Sequence, residues 1–144
     1  MKLAVIDASI VMRAVLPARG EAELNLIRSL LKMHTHICAP DLWKSEVTSS
    51  LRRFEYRQLI SQEEAEISLA DAFSLHIESV AVDQDTCQQA LAWARQLGHS
   101  KAYDALYLAL AKNKGADFWT ADQRLWKRCD ELKLSWVKTP VQAE

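Results

Sequence analysis

Short apolar runs of strand length, alternating with stretches of helical periodicity, predict an α/β chain: a parallel sheet with helices on both faces. Two further observations support this. The chain has 144 residues, 49% of them hydrophobic, enough to bury a sizeable core. Glycine and proline number only three each, which excludes low-complexity disorder. No linker, internal repeat or second core is visible, so residues 1–144 are expected to form one domain.

The elements follow in order. Leu3-Ala4-Val5-Ile6-Asp7 reads as a buried strand, and Ser9 to Leu16 as a short helix stopped by Pro17. Glu21 to Met33 places Leu24, Ile27, Leu30 and Leu31 on one helical face. His36 to Ala39 is a short strand ended by Pro40. Asp41 to Gln58 is a helix with the stripe Trp43, Val47, Leu51 and Phe54. Ser61 and Glu64 have capping-box spacing and open a helix running to about Ser74. Ile77 to Val82 is the third strand. The helix from Asp85 to Leu97 carries Cys87, Ala90, Leu91, Ala94 and Leu97 on one side and ends at Gly98. A helix from Ser100 to Asn113, with Ser100 as its N-cap, ends at Gly115. A strand at Ala116–Thr120, a helix at Gln123–Leu132 and a strand at Leu134–Val137 complete the pattern.

Charge, cysteines and termini narrow the function classes. Eighteen Lys and Arg stand against nineteen Asp and Glu, a net charge of −1, which is not the strongly basic balance of a sequence-independent nucleic-acid coat. From Gln58 to Ala94 there are seven acids and no Lys or Arg, leaving +6 on the rest of the chain. Cys38, Cys87 and Cys129 are odd in number and far apart, so they offer no disulfide framework and no C-x-x-C pair. No apolar run approaches the ~20 residues of a membrane helix. The amino terminus turns charged at Asp7 after four apolar residues, too few for a secretory signal. A cytoplasmic protein is expected. His34 and His36 are only two apart beside a strand and read as solvated. His76 and His99 are isolated and take no role.

Four of the nineteen acids are oddly placed. In open parallel sheets the site lies beyond the carboxyl ends of the strands, which singles out Asp7, the Asp41–Glu46 region and Thr120–Asp122. Asp7 ends the first apolar strand; an N-cap role is the competing explanation. Glu46 precedes Val47 and flanks the apolar stripe of its helix, where a solvated glutamate competes. Asp104 sits in Ala102-Tyr103-Asp104-Ala105-Leu106-Tyr107-Leu108-Ala109, a helix apolar nearly all round, where a carboxylate is costly unless paired or metal-bound. Asp122 opens the last long helix, again with a capping role as the alternative. If all four converge at one sheet edge, they repel one another, and a divalent cation removes the conflict. Oxygen-only ligands favour Mg²⁺ or Mn²⁺.

These residues carry a resemblance. The motifs Val5-Ile6-Asp7-Ala8-Ser9, Leu42-Trp43-Lys44-Ser45-Glu46-Val47, Tyr103-Asp104-Ala105-Leu106-Tyr107-Leu108-Ala109 and Thr120-Ala121-Asp122-Gln123-Arg124-Leu125 are each unspecific. In this order and spacing, across essentially the whole chain, they resemble the PIN-domain nuclease family, most closely the VapC-like toxins of bacterial type II toxin–antitoxin pairs. The resemblance implies an α/β/α fold with strand order 3-2-1-4-5. It also implies a Mg²⁺- or Mn²⁺-dependent ribonuclease with Asp7, Glu46, Asp104 and Asp122 as catalytic and metal-binding acids. Ser9 and Thr120 match the family's supporting hydroxyl positions. RNA as substrate, an antitoxin protein as partner and a homodimer are further implications. Asp117 is the nearest candidate for the additional acid of some relatives, but it falls at the wrong end of its strand.

The expected chemistry is hydrolysis of an RNA phosphodiester, with metal-activated water and the acids mainly as ligands. Neutralising the four acids leaves a formal charge of +3, and Arg13, Lys44, Arg52, Arg53, Lys101 and Arg124 are candidate phosphate contacts. Trp43, Trp93, Trp119, Trp126 and Trp136 are read first as core residues and second as partner surface. Haloacid-dehalogenase phosphatases need a second acid where Ser9 stands, and receiver domains an acidic pair that Ala8 spoils. A Rossmann site needs a glycine cluster that does not exist here. The remaining rival is a PIN fold that keeps its acids but only holds RNA or a partner protein.

Overall fold

The structure is a computed structural model that describes residues 2–18, 20–33 and 35–140; His34 lies outside them. Among the described residues the elements follow in the order β1 (Leu3–Ile6), α1 (Ala8–Val15), α2 (Glu21–Lys32), β2 (His36–Pro40), α3 (Leu42–Tyr56), α4 (Gln62–Phe73), β3 (Glu78–Val80), α5 (Gln84–Leu97), α6 (Tyr103–Lys114), β4 (Asp117–Trp119), α7 (Gln123–Glu131) and β5 (Val137–Lys138). The sheet is parallel throughout, in the order β3-β2-β1-β4-β5. This is the expected fold and strand order.

The chain leaves β1 in one direction toward β2 and β3, then returns past β1 to β4 and β5. With right-handed crossovers, the reversal puts α1–α4 on one face and α5–α7 on the other. It also makes the β1–β4 junction the switch point, where a crevice opens beyond the strand ends. The register there is Val5 opposite Phe118 and Ile6 opposite Trp119, and the Asp7 N–H continues it by donating to the Trp119 carbonyl (2.9 Å). On the other side of β1, pairing with β2 stops at Val5 and Cys38. Even-numbered residues of β2 aim their N–H at β1, as His36 does to the Lys2 carbonyl. Pro40 falls on that side and has no N–H to give. The two strands therefore part where the candidate acids follow.

Ile6, Ile10, Val47, Tyr107, Leu108, Phe118 and Leu125 are among the fully buried side chains, and the Tyr107 and Phe118 rings lie 5.8 Å apart. Trp43 is buried and the other four tryptophans pack partly buried against the core, which supports their reading as core residues. Ser61 and Glu64 form the expected capping box, and Gly98 and Gly115 end α5 and α6 with φ of +75° and +62°, a region costly for any side chain.

Several boundaries differ from expectation. Pro40 is the last residue of β2 rather than its terminator. The third strand, an edge strand with a neighbour on one side only, shortens to Glu78–Val80, and the fifth shifts to Val137–Lys138, sharing only Val137 with the expected span. In α5, Ala90, Ala94 and Leu97 are buried with Thr86, whereas Cys87 and Leu91 face solvent. The largest change is in α6, which begins at Tyr103 with Ala102 at the N-cap position, not at Ser100. Among the described residues no helix is long and apolar enough to cross a membrane.

Phe118 is fully buried in β4, an inner strand flanked by β1 and β5. Phe118→Ala is expected to lower the free energy of unfolding by about 3–5 kcal/mol, read from urea denaturation of variant and parent.

Candidate active site

Asp7 stands at the N-cap position of α1, but its side chain makes no capping bond. Its Oδ2 instead accepts hydrogen bonds from Ser9 Oγ (2.8 Å) and Thr120 Oγ1 (2.7 Å). Each hydroxyl also accepts from the backbone of the β4–α7 turn, Ser9 from the Ala121 N–H and Thr120 from the Asp122 N–H, both at 3.0 Å. The competing cap explanation of Asp7 therefore fails, and Ser9 and Thr120 are not merely local turn hydroxyls. The Asp7 carboxyl is pushed up to about 7, chiefly by burial. Thr120 and Ser9 oppose that shift, while the charges of Asp104 and Glu46 add to it.

Glu46 lies half-buried in the second turn of α3. Its Oε1 accepts from the Tyr107 hydroxyl at 2.6 Å. Burial raises its pKa above the usual carboxylate range, the Tyr107 bond works against this, and Asp104 reinforces it. Asp104 is the second residue of α6, in the first turn rather than beyond it, and its side chain is 33% exposed. The helix dipole therefore favours its charge, which corrects the expectation of a deeply buried carboxylate. Its pKa is nonetheless raised, by burial and then by Asp122, with His99 lowering it. Asp122 is exposed and does cap α7, its Oδ1 accepting from the Arg124 and Leu125 N–H groups.

The four acids thus share one edge of the sheet, and each is electrostatically coupled to at least one other. The bonds that fix three of them use one oxygen each: Asp7 Oδ2, Glu46 Oε1 and Asp122 Oδ1. Among the described residues, no three His, Cys, Asp or Glu side chains are grouped to hold a single ion. A hard cation such as Mg²⁺ does not require that. It keeps several waters and takes one or two carboxylates together with substrate phosphate, so an all-oxygen set with raised proton affinity suits it.

Two participants were not legible in the sequence. Tyr107 is wholly buried, and its hydroxyl titrates above its ordinary value because burial and then the charges of Asp7 and Glu46 disfavour the phenolate. Tyr107 therefore stays protonated and donates to Glu46, while the Ala8 backbone N–H donates to its oxygen. Its spacing of three from Asp104, on one face of α6, was the available signal. His99, given no role from sequence, has Nδ1 3.7 Å from Asp104 Oδ2. His36 instead pairs with Glu78, at the far end of β2.

The candidate phosphate contacts divide. Arg13 is tied to Glu23, a buried acid on α2 whose Oε2 would collide with a side chain at Gly20. Arg52 pairs with Glu55 (2.6 Å), and Lys44 lies 5.6 Å from the centre of the Phe73 ring. Arg124 is exposed beside Asp122. Lys101 and Arg53 line cavities that also reach Glu46. Asp117 is at the start of β4, as expected, with Lys138 Nζ 3.8 Å away.

Two outcomes follow from this geometry. The folded protein holds the Asp7 proton up to about pH 7, whereas the unfolded chain releases it near 3.8. This group's stabilising contribution is therefore complete below about pH 4 and is lost as pH rises to about 7. In chelator, Asp7→Asn is expected to flatten that decline and to be more stable than the parent at pH 8, measured by urea denaturation across pH. Tyr107→Phe keeps the ring in the core and removes one hydrogen bond. It should cost about 1 kcal/mol and raise the Glu46 pKa further, followed by NMR titration of its carboxyl carbon.

The PIN domain profile matches residues 4–132. No curated protein sequence matches the chain. Among solved structures, the chain is similar to VapBC2 from Rickettsia felis bound to a DNA fragment from its promoter, with 13% identity and a TM-score of 0.68, covering 95% of this chain and 98% of that one. It is similar to a toxin–antitoxin complex from Klebsiella pneumoniae, with 16% identity, a TM-score of 0.66 and coverage of 97% and 99%. FitAcB from Neisseria gonorrhoeae is also similar, with 16% identity, a TM-score of 0.62 and the same coverage. Given the strand order, the acids at the switch point and a profile match over most of its length, the chain belongs to the PIN domain family.

Proposed function

We propose that this protein is a Mg²⁺- or Mn²⁺-dependent endoribonuclease and the toxin of a toxin–antitoxin pair, using Asp7, Glu46, Asp104 and Asp122. The observation that carries this reading is the electrostatic chain through those acids, three of which have raised pKa values at the sheet's switch point. Acids held in mutual repulsion are poorly suited to a purely structural role and well suited to attracting a cation.

A bound divalent cation would supply an acidic water for attack and neutralise charge developing on the phosphate. The chain's own residues do the rest. Asp7 is fixed in one orientation by Ser9 and Thr120. Tyr107 holds one oxygen of Glu46, leaving the other for an ion or its water. Asp104, on the helix terminus, and Asp122, on the turn held to Asp7, close the set from the other side. Lys101 and Arg53 offer positive charge to the substrate backbone.

The toxin assignment, with an antitoxin as partner, takes support from the toxin–antitoxin complex and VapBC2 among the similar structures. A homodimer and a cytoplasmic setting belong to the same reading.

Calorimetric titration of Mn²⁺ into chelator-treated protein, beside Asp104→Asn, tests the site. Wild type is expected to bind the ion and cleave RNA, with EDTA abolishing cleavage. Asp104→Asn should lose cleavage by at least 10²-fold while keeping its circular dichroism spectrum. Full activity in that variant removes the assignment, and RNA binding without cleavage by wild type establishes a binding module instead.

A further inference from the structure

Two shallow cavities adjoin at the outer edge of the acids. One, of about 470 Å³, runs from Glu46 and Asp104 to His99 and Lys101. The other, of about 400 Å³, runs from Glu46 past Ser45 and Ser49 to Arg53. Glu46, Lys101 and Tyr103 line both, so the two form one groove leading away from the acids. Each is large enough for a nucleotide-sized group.

Tyr103 is the first residue of α6 and is 56% exposed. An exposed tyrosine alone is ordinary, but this one stands in the groove, immediately before Asp104. A phosphate backbone entering the groove is repelled by Glu46 and Asp104 and attracted by Lys101 at one point and Arg53 at another. With the phosphates drawn to those cations, two rings are left for a base: His99, which is 33% exposed and turned toward Asp104, and Tyr103, the larger and more exposed of the two. Base–aromatic stacking needs an unpaired base and tolerates any of the four.

We infer that Tyr103 is the stacking platform for one base beside the cleaved phosphodiester, with Lys101 and Arg53 holding the neighbouring backbone phosphates. The inference rests on the ribonuclease reading and deepens it. Tyr103 acts as a positioning residue: it fixes where the strand lies and takes no part in the bond cleavage itself.

The test uses a short single-stranded RNA with 2-aminopurine scanned along it, bound in EDTA so that no cleavage occurs, and the same RNA cleaved in Mn²⁺. Wild type and Tyr103→Phe should quench the fluorescence at one position. Tyr103→Leu keeps the bulk and helix preference but has no ring face. It should bind on the order of tenfold weaker or worse, lose the quench, and raise KM by the same factor with little change in kcat. Lys101→Ala should reduce the slope of log affinity against log salt by about 0.7, which loss of packing would not do. Circular dichroism checks that each variant is folded.

The outcomes separate the two readings. Cleavage by wild type with unchanged KM and quench in Tyr103→Leu overturns the platform and leaves the ribonuclease standing. A quench that needs the ring, without cleavage by wild type, supports the platform and overturns the ribonuclease. No RNA binding in EDTA together with no cleavage in Mn²⁺ by folded wild type overturns both.

Discussion

A carboxylate shut away from water is among the most expensive things a small domain can contain, and this fold is arranged around one. Asp7 is buried at the end of the first strand, and two hydroxyls from opposite ends of the chain turn toward the same oxygen. Those hydroxyls are not interchangeable decorations. Each also takes a backbone N–H of the β4–α7 turn, so the charge, the start of α1 and the turn carrying Asp122 form one network. The network offsets only part of the burial cost, since the Asp7 carboxyl still titrates far above its ordinary range. The protein thus keeps a site that is electrostatically unsatisfied, a state that a bound cation can relieve and core packing cannot.

The surrounding elements deliver the other acids by separate local devices. Pro40 withholds a donor from β1, so the strands part before α3 carries Glu46 toward the gap. The left-handed Gly98 ends α5 abruptly, and the connecting segment lets α6 restart at Tyr103. That start places Asp104 in the first turn, where the helix dipole supports its charge, and Tyr107 one turn later, where it reaches Glu46. A single buried helix therefore supplies one acid, the tether of another and the aromatic at the groove's edge.

The similar structures share 13–16% of their residues with this chain while covering nearly all of it. A parallel sheet with this strand order is specified by burial and crossover handedness, which many sequences satisfy. Chemistry is not inherited with it. Any function rests instead on the acids, their hydroxyl and phenol partners, and the charge of the groove beside them.

Much of this was legible in the residue order. Apolar runs gave five strands, the Ser61–Glu64 pair and the two helix-ending glycines marked ends, and the strand-end rule singled out Asp7, Glu46 and Asp122. The all-round apolar helix marked Asp104 as costly, although its reason was misplaced by the helix start, since Ser100 looks like a cap and Ala102 does not. Periodicity reports which faces are apolar because backbone geometry repeats locally. It does not report which side chains meet across the fold. The Tyr107–Glu46 bond spans 61 positions and the Thr120–Asp7 bond 113. His99 meets Asp104 only after a chain reversal, Arg13 is diverted from any phosphate by Glu23, and Cys87 and Leu91 face solvent because helix α5 packs by Ala90, Ala94 and Leu97. Residue order alone predicts the architecture and singles out four candidate acids. Their partners and proton affinity emerge in the folded chain, because desolvation and Coulomb repulsion depend on distances that no local pattern encodes.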